Sequence, residues 1–446
     1  MGTQWQEYYK KRFISTAEAA QMVRSGDVIA IPLGVPGCSS EMYNAVLDRW
    51  QELEEVKIID GLLLRPNKYM DPRFAAQVHG HITHMPGFGL GPIRRLYQDK
   101  LSDHFPMTTY DSAEKGAQVT DIIFAMVCPP NKNGYINLGL GNFFTSVAIR
   151  EGRKRNKLRL AIAEINDQMP VVLGDNWMHV SEFDYFIEKS SPLPVFSRGI
   201  EPSEAEKQIG QNVAGLINDG DTIQMGIGSI SEAVVAGLDG KHDLGILTEM
   251  FPPSLPELVE KGIVTNNKKI RHTGVSLACL CIGDQKLYDY VTENPAAQIY
   301  PGSYTNNPAL IAQNPSMVSI NTAIMMDLTG NITSEGIGHR MISGVGGQLE
   351  FQMGAYWSPG GRAITVMTAA RRMKDGTLAS SILPALPLGS PVSVPKNFAD
   401  YVVTEYGVAR LKYKSFRGRA EALISIAHPD FRGELQRAAR RIFYPQ

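Results

Sequence analysis

Asp221-Thr-Ile-Gln-Met-Gly-Ile-Gly-Ser-Ile-Ser-Glu-Ala-Val-Val-Ala-Gly-Leu-Asp-Gly-Lys-His-Asp-Leu-Gly-Ile-Leu-Thr-Glu-Met250 carries the pattern from which an architecture can be built. Its first five residues carry the short apolar run of a buried strand, Ile230 to Leu238 has helical spacing, and Leu244 to Leu247 reads as the next strand, a β-loop-α-β unit. In such a unit the strands run parallel and ligands meet their C-terminal ends. The Gly226-Ile-Gly-Ser229 loop and Glu249 both fall at that end. Neighbouring strands lie roughly 4.8 Å apart, close enough for loop amides and the glutamate to address one reacting carbonyl. The residues alone leave Glu249 a second reading: ahead of Pro252-Pro253 it also suits a cap on the helix that follows.

The same pattern occurs earlier in the chain. Ser15 to Gly34 and Ala205 to Gly228 each read as a helix, a Gly-Asp turn, a buried strand and a glycine loop. Gly26-Asp27 matches Gly220-Asp221 and Gly34 matches Gly228 at a constant offset of 194 residues. An offset of domain size predicts two halves of similar architecture, open α/β in each. Lys189-Ser-Ser-Pro-Leu-Pro-Val-Phe-Ser-Arg-Gly-Ile-Glu-Pro202 has linker composition. We therefore expect domains over residues 1–190 and 200–446, with a ligand site in the cleft between them. Ala323 to Ser334 carries a hairpin signal at Thr-Gly-Asn, Tyr401 to Leu411 a strand leaving on a turn, and Pro429 to Arg441 an amphipathic helix.

Composition narrows the class of partner. A chain of 446 residues with 44 Lys plus Arg against 45 Asp plus Glu has no bulk charge to draw it to nucleic acid or an acidic membrane. Its apolar runs, such as Val275 to Ile282, are too short to span a bilayer, and the N-terminus lacks an apolar signal core, so a soluble cytoplasmic protein acting on a small molecule is expected. Four cysteines argue against a disulfide framework. Cys279 and Cys281 read as small core residues on one strand face. His79, His81 and His84 do not converge on a strand, since the third falls on the opposite face, and no metal is expected.

Ser343-Gly-Val-Gly-Gly-Gln-Leu-Glu-Phe351 is a second glycine-rich turn that exposes successive N–H groups, readable as a purely structural turn or, beside Gly226-Ile-Gly, as a second oxyanion donor. Neither loop has the Lys-Ser/Thr of a phosphate loop or a full dinucleotide fingerprint. Glu405, closing the strand at Tyr401 to Thr404, is the other carboxylate placed like Glu249, whereas Glu350 reads as a strand-face residue. No nucleophile elbow or Ser/His/Asp order is present.

Leu247-Thr-Glu-Met-Phe251, Leu258-Val-Glu-Lys-Gly-Ile-Val-Thr-Asn266, Ser343-Gly-Val-Gly-Gly-Gln348, Asp400-Tyr-Val-Val-Thr-Glu-Tyr-Gly-Val-Ala409 and Ile426-Ala-His-Pro-Asp-Phe-Arg432 together resemble the acetyl-CoA hydrolase/transferase family. Within it they look like the 4-hydroxybutyrate and butyrate CoA-transferases. The resemblance implies two open α/β domains with the active site between them, and Glu249 as nucleophile. It implies oxyanion and CoA contacts from Gly226, Ile227, Gly228, Ser229 and Ile230, with the Ile227 amide as donor. A second set comes from Gly344, Gly346 and Gly347, the donor being Gly346 or Gly347, and Glu405 is carried over more loosely to the acyl-acceptor side. It further implies acyl-CoA as substrate rather than a tightly bound cofactor, no metal, a small carboxylic acid as acceptor (4-hydroxybutyrate, butyrate, acetate, or a dicarboxylate such as itaconate or succinate), and a homodimer or assembly of dimers. An acyl-CoA hydrolase and a non-catalytic CoA-binding protein are the alternatives. The chain departs from the family pattern at Leu247, at Pro252 to Ser254 and around Ser380-Ser381.

Overall fold

A computed structural model describes residues 4–196 and 201–445. The chain divides into two compact units, one of residues 1–196, 277–305 and 341–344, the other of residues 197–276, 306–340 and 345–446. The first unit also takes in two segments from later in the chain, residues 277–305 and 341–344. Part of the linker reading, residues 197–200, lies outside the described residues.

In the first unit, Val28–Ala30 (β1), Val56–Gly61 (β2), Ile82–Phe88 (β3), Ile122–Val127 (β4), Leu160–Ile165 (β5) and Tyr185–Glu188 (β6) form one sheet. Every pairing is parallel, in the order β3-β2-β1-β4-β5-β6. A parallel sheet is covered on both faces, so its strands are apolar throughout rather than alternating. Accordingly, Ile122-Ile-Phe-Ala-Met-Val127 is buried at every position. A core around Ile29, Met42, Leu47, Ile58 and Phe124 packs beneath it.

In the second unit, Thr222–Met225 (β7), Gly245–Ile246 (β8), Met317–Thr322 (β9), Arg362–Val366 (β10), Tyr401–Thr404 (β11) and Gly407–Arg410 (β12) are ordered β8-β7-β9-β10-β11-β12. All pairings are parallel except the antiparallel β11–β12 edge. Both orders belong to doubly wound sheets, and each reverses direction beside its first strand, β1 or β7. The predicted β-loop-α-β unit is β7, the helix Ser229–Ala236 and β8, which are neighbours in register Thr222↔Gly245 and Ile223↔Ile246.

The repeat extends beyond its glycines. Gly26, Gly34, Gly220 and Gly228 all take positive φ (83°, 74°, 80° and 114°), the region where a Cβ is disfavoured. Each half opens with a capping box, Ser15 with Glu18 and Ser203 with Glu206. Asp27 and Asp221 each hold a turn amide, of Arg24 and Asn218, and each pairs with an arginine two strands away, Arg159 or Arg362.

The hairpin signal corresponds to Met325–Asp327 paired with Ile332–Thr333, its turn closed by Asp327 Oδ1 accepting from Thr329, Gly330 and Asn331 amides. The terminal helix runs Pro429–Phe443. Two local expectations are corrected. Glu350 lies in the first turn of the helix Gln348–Trp357 and not on a strand, and Val275 to Ile282 is two short strands broken at Cys279. Cys279 and Cys281 are fully buried. His84 is buried between Asp60 and Ser102. Among the described residues no helix is long and apolar enough to cross a membrane, and no cluster of His, Cys, Asp or Glu could hold a metal ion.

Candidate active site

The site is described within the second unit, at the C-terminal edge of its sheet. The direction reversal lies between β7 and β9, and the Gly226 loop leaves β7 there, where open α/β sheets bind ligands. Ile227 and Gly228 are exposed at its tip. Gly228, at φ 114°, turns the chain into the helix Ser229–Ala236. The Ser229 hydroxyl is bonded to the Glu206 carboxylate, which ties the loop's C-terminal end to the preceding helix Glu204–Ala214. Thr248 Oγ1 donates to Met225 O at 3.3 Å, joining the end of β7 to the residue before Glu249.

Strand β8, which carries Glu249 at its exit, is a sheet edge with β7 as its one neighbour. Its outer polar groups are satisfied by side chains: Asn266 Oδ1 accepts from Ile246 N at 2.8 Å, and Lys269 Nζ donates to Ile246 O at 2.8 Å and Val275 O at 2.6 Å. Lys269 is 4% exposed, and burial pushes its ammonium down to about 7. A buried backbone group without a partner is costly, so these contacts hold the strand end in place of a ladder.

Glu249 does not cap the helix Leu255–Glu260, whose N-cap is Ser254. Its carboxylate meets a different helix: Gly347 N–H, at the N-terminus of Gln348–Trp357, donates to it, and Asn306 Nδ2 donates to Oε2 at 3.4 Å. The approach is close enough that a Cβ on Gly347 would fall 2.0 Å from Oε2 and 2.4 Å from Asn306 Nδ2. Glu249 keeps some exposed surface as a residue, but its carboxyl end is enclosed. Desolvation raises its pKa to about 7 against the lowering effect of Asn306 and Gly347. A carboxylate at a helix N-terminus is favoured by the exposed amides and the dipole.

The second unit thus brings Glu249, Gly347 and Asn306 into contact, with Gly346 at φ 56° in the turn before them. Gly344 lies in the first unit, where a Cβ would fall 2.2 Å from Gly87 O. Glu405 is not brought to Glu249: it leaves β11, four strands from β8, roughly 19 Å away at strand spacing. Its carboxylate accepts from Ala369 N at 2.8 Å. Asn306 and Lys269 were not legible as site residues. Asn306-Asn307-Pro308 carries only a helix-cap signal, which Asn307 fulfils, and Lys269 carries none.

Fold and site define a doubly wound α/β protein with a desolvated carboxylate at a sheet's carboxyl edge, beside a glycine loop. Residues 2–196 match the acetyl-CoA hydrolase/transferase N-terminal domain and residues 283–439 its C-terminal domain. The chain belongs to the acetyl-CoA hydrolase/transferase family. It is 37% identical to the 4-hydroxybutyrate coenzyme A transferase of Clostridium kluyveri over 99% of this chain and 100% of that protein. It is 35% identical to the succinyl-CoA:cyclohexane-1-carboxylate CoA transferase of Geobacter metallireducens over 98% and 97%. Among solved structures, RipA from Yersinia pestis matches with TM-score 0.86 at 30% identity, covering 98% of this chain and 99% of that one. The 4-hydroxybutyrate CoA-transferase of Porphyromonas gingivalis matches with TM-score 0.75 at 34% identity, covering 98% and 100%.

Proposed function

We propose that the protein moves CoA between an acyl-CoA and a free carboxylic acid through covalent intermediates on Glu249. The observation that carries this reading is the Glu249 carboxylate held by Gly347 N–H and Asn306 beside the Gly226 loop. A Glu249 oxygen attacks the thioester carbon; the C–S bond breaks, leaving an acyl-glutamyl anhydride and CoA thiolate. The thiolate attacks the glutamyl carbonyl, releasing the first carboxylate and leaving a glutamyl-CoA thioester. An incoming acid reverses both exchanges. Carboxylate and thiolate are already nucleophiles, so no general base is needed, which accords with a site built without a histidine.

Each tetrahedral intermediate needs oxyanion donors. Ile227 N–H is assigned to one, and the Gly346–Gly347 turn supplies the other as the Gly347 amide passes from the resting carboxylate to the oxyanion. Gly226, Gly228 and Ile230 shape the first loop for close approach of the thioester. Desolvation serves the same chemistry, since a carboxylate stripped of water is the stronger nucleophile and water would hydrolyse both intermediates. The acceptor is proposed as a short-chain acid or dicarboxylate, in line with relatives named for 4-hydroxybutyrate, butyrate and succinate. Transfer is favoured over hydrolysis because three relatives named transferases each match over 98% or more of the chain at 35–37% identity. The acetyl-CoA hydrolase of Candida albicans matches over 58% of it. The test is incubation with acyl-CoA without acceptor, followed by mass spectrometry of the Glu249 peptide. A CoA adduct that persists until an acid is added supports transfer. Rapid turnover in water alone supports hydrolysis. No adduct, with full activity in Glu249→Ala, sinks both.

A further inference from the structure

At the opposite edge of the second unit's sheet from Glu249, a cavity of about 380 Å³ is lined by Lys396, Asn397, Lys414, Ser415, Phe416 and Arg419. Lys396 leads into β11 at Tyr401 and Lys414 follows β12 at Arg410, residues that pair with each other, so the cavity sits at the N-terminal end of the parallel strands. Three cations converge there with no compensating carboxylate: among the described residues none of the three forms an ion pair. Arg419 is 9% exposed. Its Nη1 donates to Thr329 O and Lys396 O and its Nε to Lys414 O, which leaves Nη2 without a protein partner among the described residues. Burial depresses its pKa, offset in part by the Tyr356 phenol and by no carboxylate.

A buried guanidinium without a counter-charge is unfavourable in an isolated protein. The surroundings worsen it. The ten-residue helix Phe416–Ser425 has no acidic residue in its first turn and carries Arg417 and Arg419 there, cations at the positive end of the helix dipole. A bound anion relieves all of these at once. Phe416 is 48% exposed and packs on Phe443 at a centroid distance of 6.0 Å, offering its remaining surface beside the cations.

We propose that this cavity binds a phosphomonoester, its phosphate held by Arg419, Lys396 and Lys414 and an apolar or aromatic moiety resting on Phe416, at a site separate from the acyl-transfer site. Guanidinium and lysine ammonium groups are the usual phosphate ligands, and the volume suits a nucleoside monophosphate.

The test is calorimetric titration in phosphate-free buffer with inorganic phosphate, AMP and adenosine as probes and no CoA, whose own 3′-phosphate is a phosphomonoester that would compete for the cavity. Phosphate and AMP are expected to bind saturably and adenosine not at all. Equal affinities assign the site to the phosphate group alone, and tighter AMP assigns it to a nucleotide. In the Lys396→Ala/Lys414→Ala double variant both affinities should fall about tenfold or more, with Tm in the absence of probe and basal kcat/KM unchanged. Arg419→Lys, which keeps charge but loses the fork, should weaken binding similarly; because Arg419 also ties three carbonyls, the Lys396→Ala/Lys414→Ala variant decides if Arg419→Lys fails to fold. No saturation by either probe at millimolar concentration, or undiminished binding in the double variant, overturns the proposal.

Discussion

Replacing Gly347 by alanine tests the central contact of the site. The φ of Gly347 is −86°, ordinary for alanine, so the backbone imposes no strain. The clash lies with Glu249: the new Cβ would stand 2.0 Å from its Oε2 and 2.4 Å from Asn306 Nδ2. A carbon and a carboxylate oxygen need roughly 3.2 Å, so the carboxylate must retreat by about 1.2 Å. Displacing a reacting group by about 1 Å costs on the order of a hundredfold in rate, or about 2.7 kcal/mol of barrier. Fold stability should change by about 1 kcal/mol or less, the usual scale for a substitution at a helix N-cap. The assay is the rate of CoA release from acyl-CoA with and without acceptor acid, alongside thermal unfolding. A variant within threefold of wild-type rate but with a clearly lowered Tm would mean that the helix moved and the carboxylate did not, contrary to this expectation.

The remaining predictions concern titration and the groups around Glu249. With Glu249 proposed to react as the anion and its pKa raised to about 7, kcat/KM for acyl-CoA should climb about tenfold per pH unit below that value and level above it. The corresponding stability effect has the opposite sign: the folded protein holds this proton more tightly than the unfolded chain, so the stabilisation is full below about 4.5, declines as pH rises and is lost above about 7. Denaturation of Glu249→Gln over that window should lack this slope. Asn306→Ala removes a bond that lowers the Glu249 pKa, so the acid limb of the rate profile should move to higher pH, with activity at pH 6 reduced about tenfold or more. An unmoved limb would deny Asn306 that role. Lys269→Met strands the carbonyls of Ile246 and Val275 while removing a buried charge, and should lower stability by about 2 kcal/mol in urea denaturation. Unchanged stability would show that β8 does not depend on that tether.

Local chemistry determined much of this protein by itself. Gly26, Gly34, Gly220 and Gly228 announce the positive φ their turns require, and the apolar runs before Gly34 and Gly228 announce buried parallel strands, because only a strand covered on both faces is apolar throughout. Pairing of β7 with β8, and the placement of the Gly226 loop and Glu249 at one edge, follow from that pattern. Other features have no local signature. The helix Gln348–Trp357 hides behind three glycines, and its N-terminus matters because it ends on Glu249, a contact between residues nearly a hundred positions apart. The same holds for Asn306, for Lys269 beneath an edge strand and for the two later segments that complete the first unit. Glu249 and Glu405 look alike in sequence, each closing a strand. Strand order separates them by four positions, giving one a desolvated carboxyl against a helix and the other an amide to hold. Backbone conformation is set by neighbours along the chain and so can be read from them. Desolvation and the reach of one side chain to another depend on what the fold brings from elsewhere, and only the tertiary structure decides those.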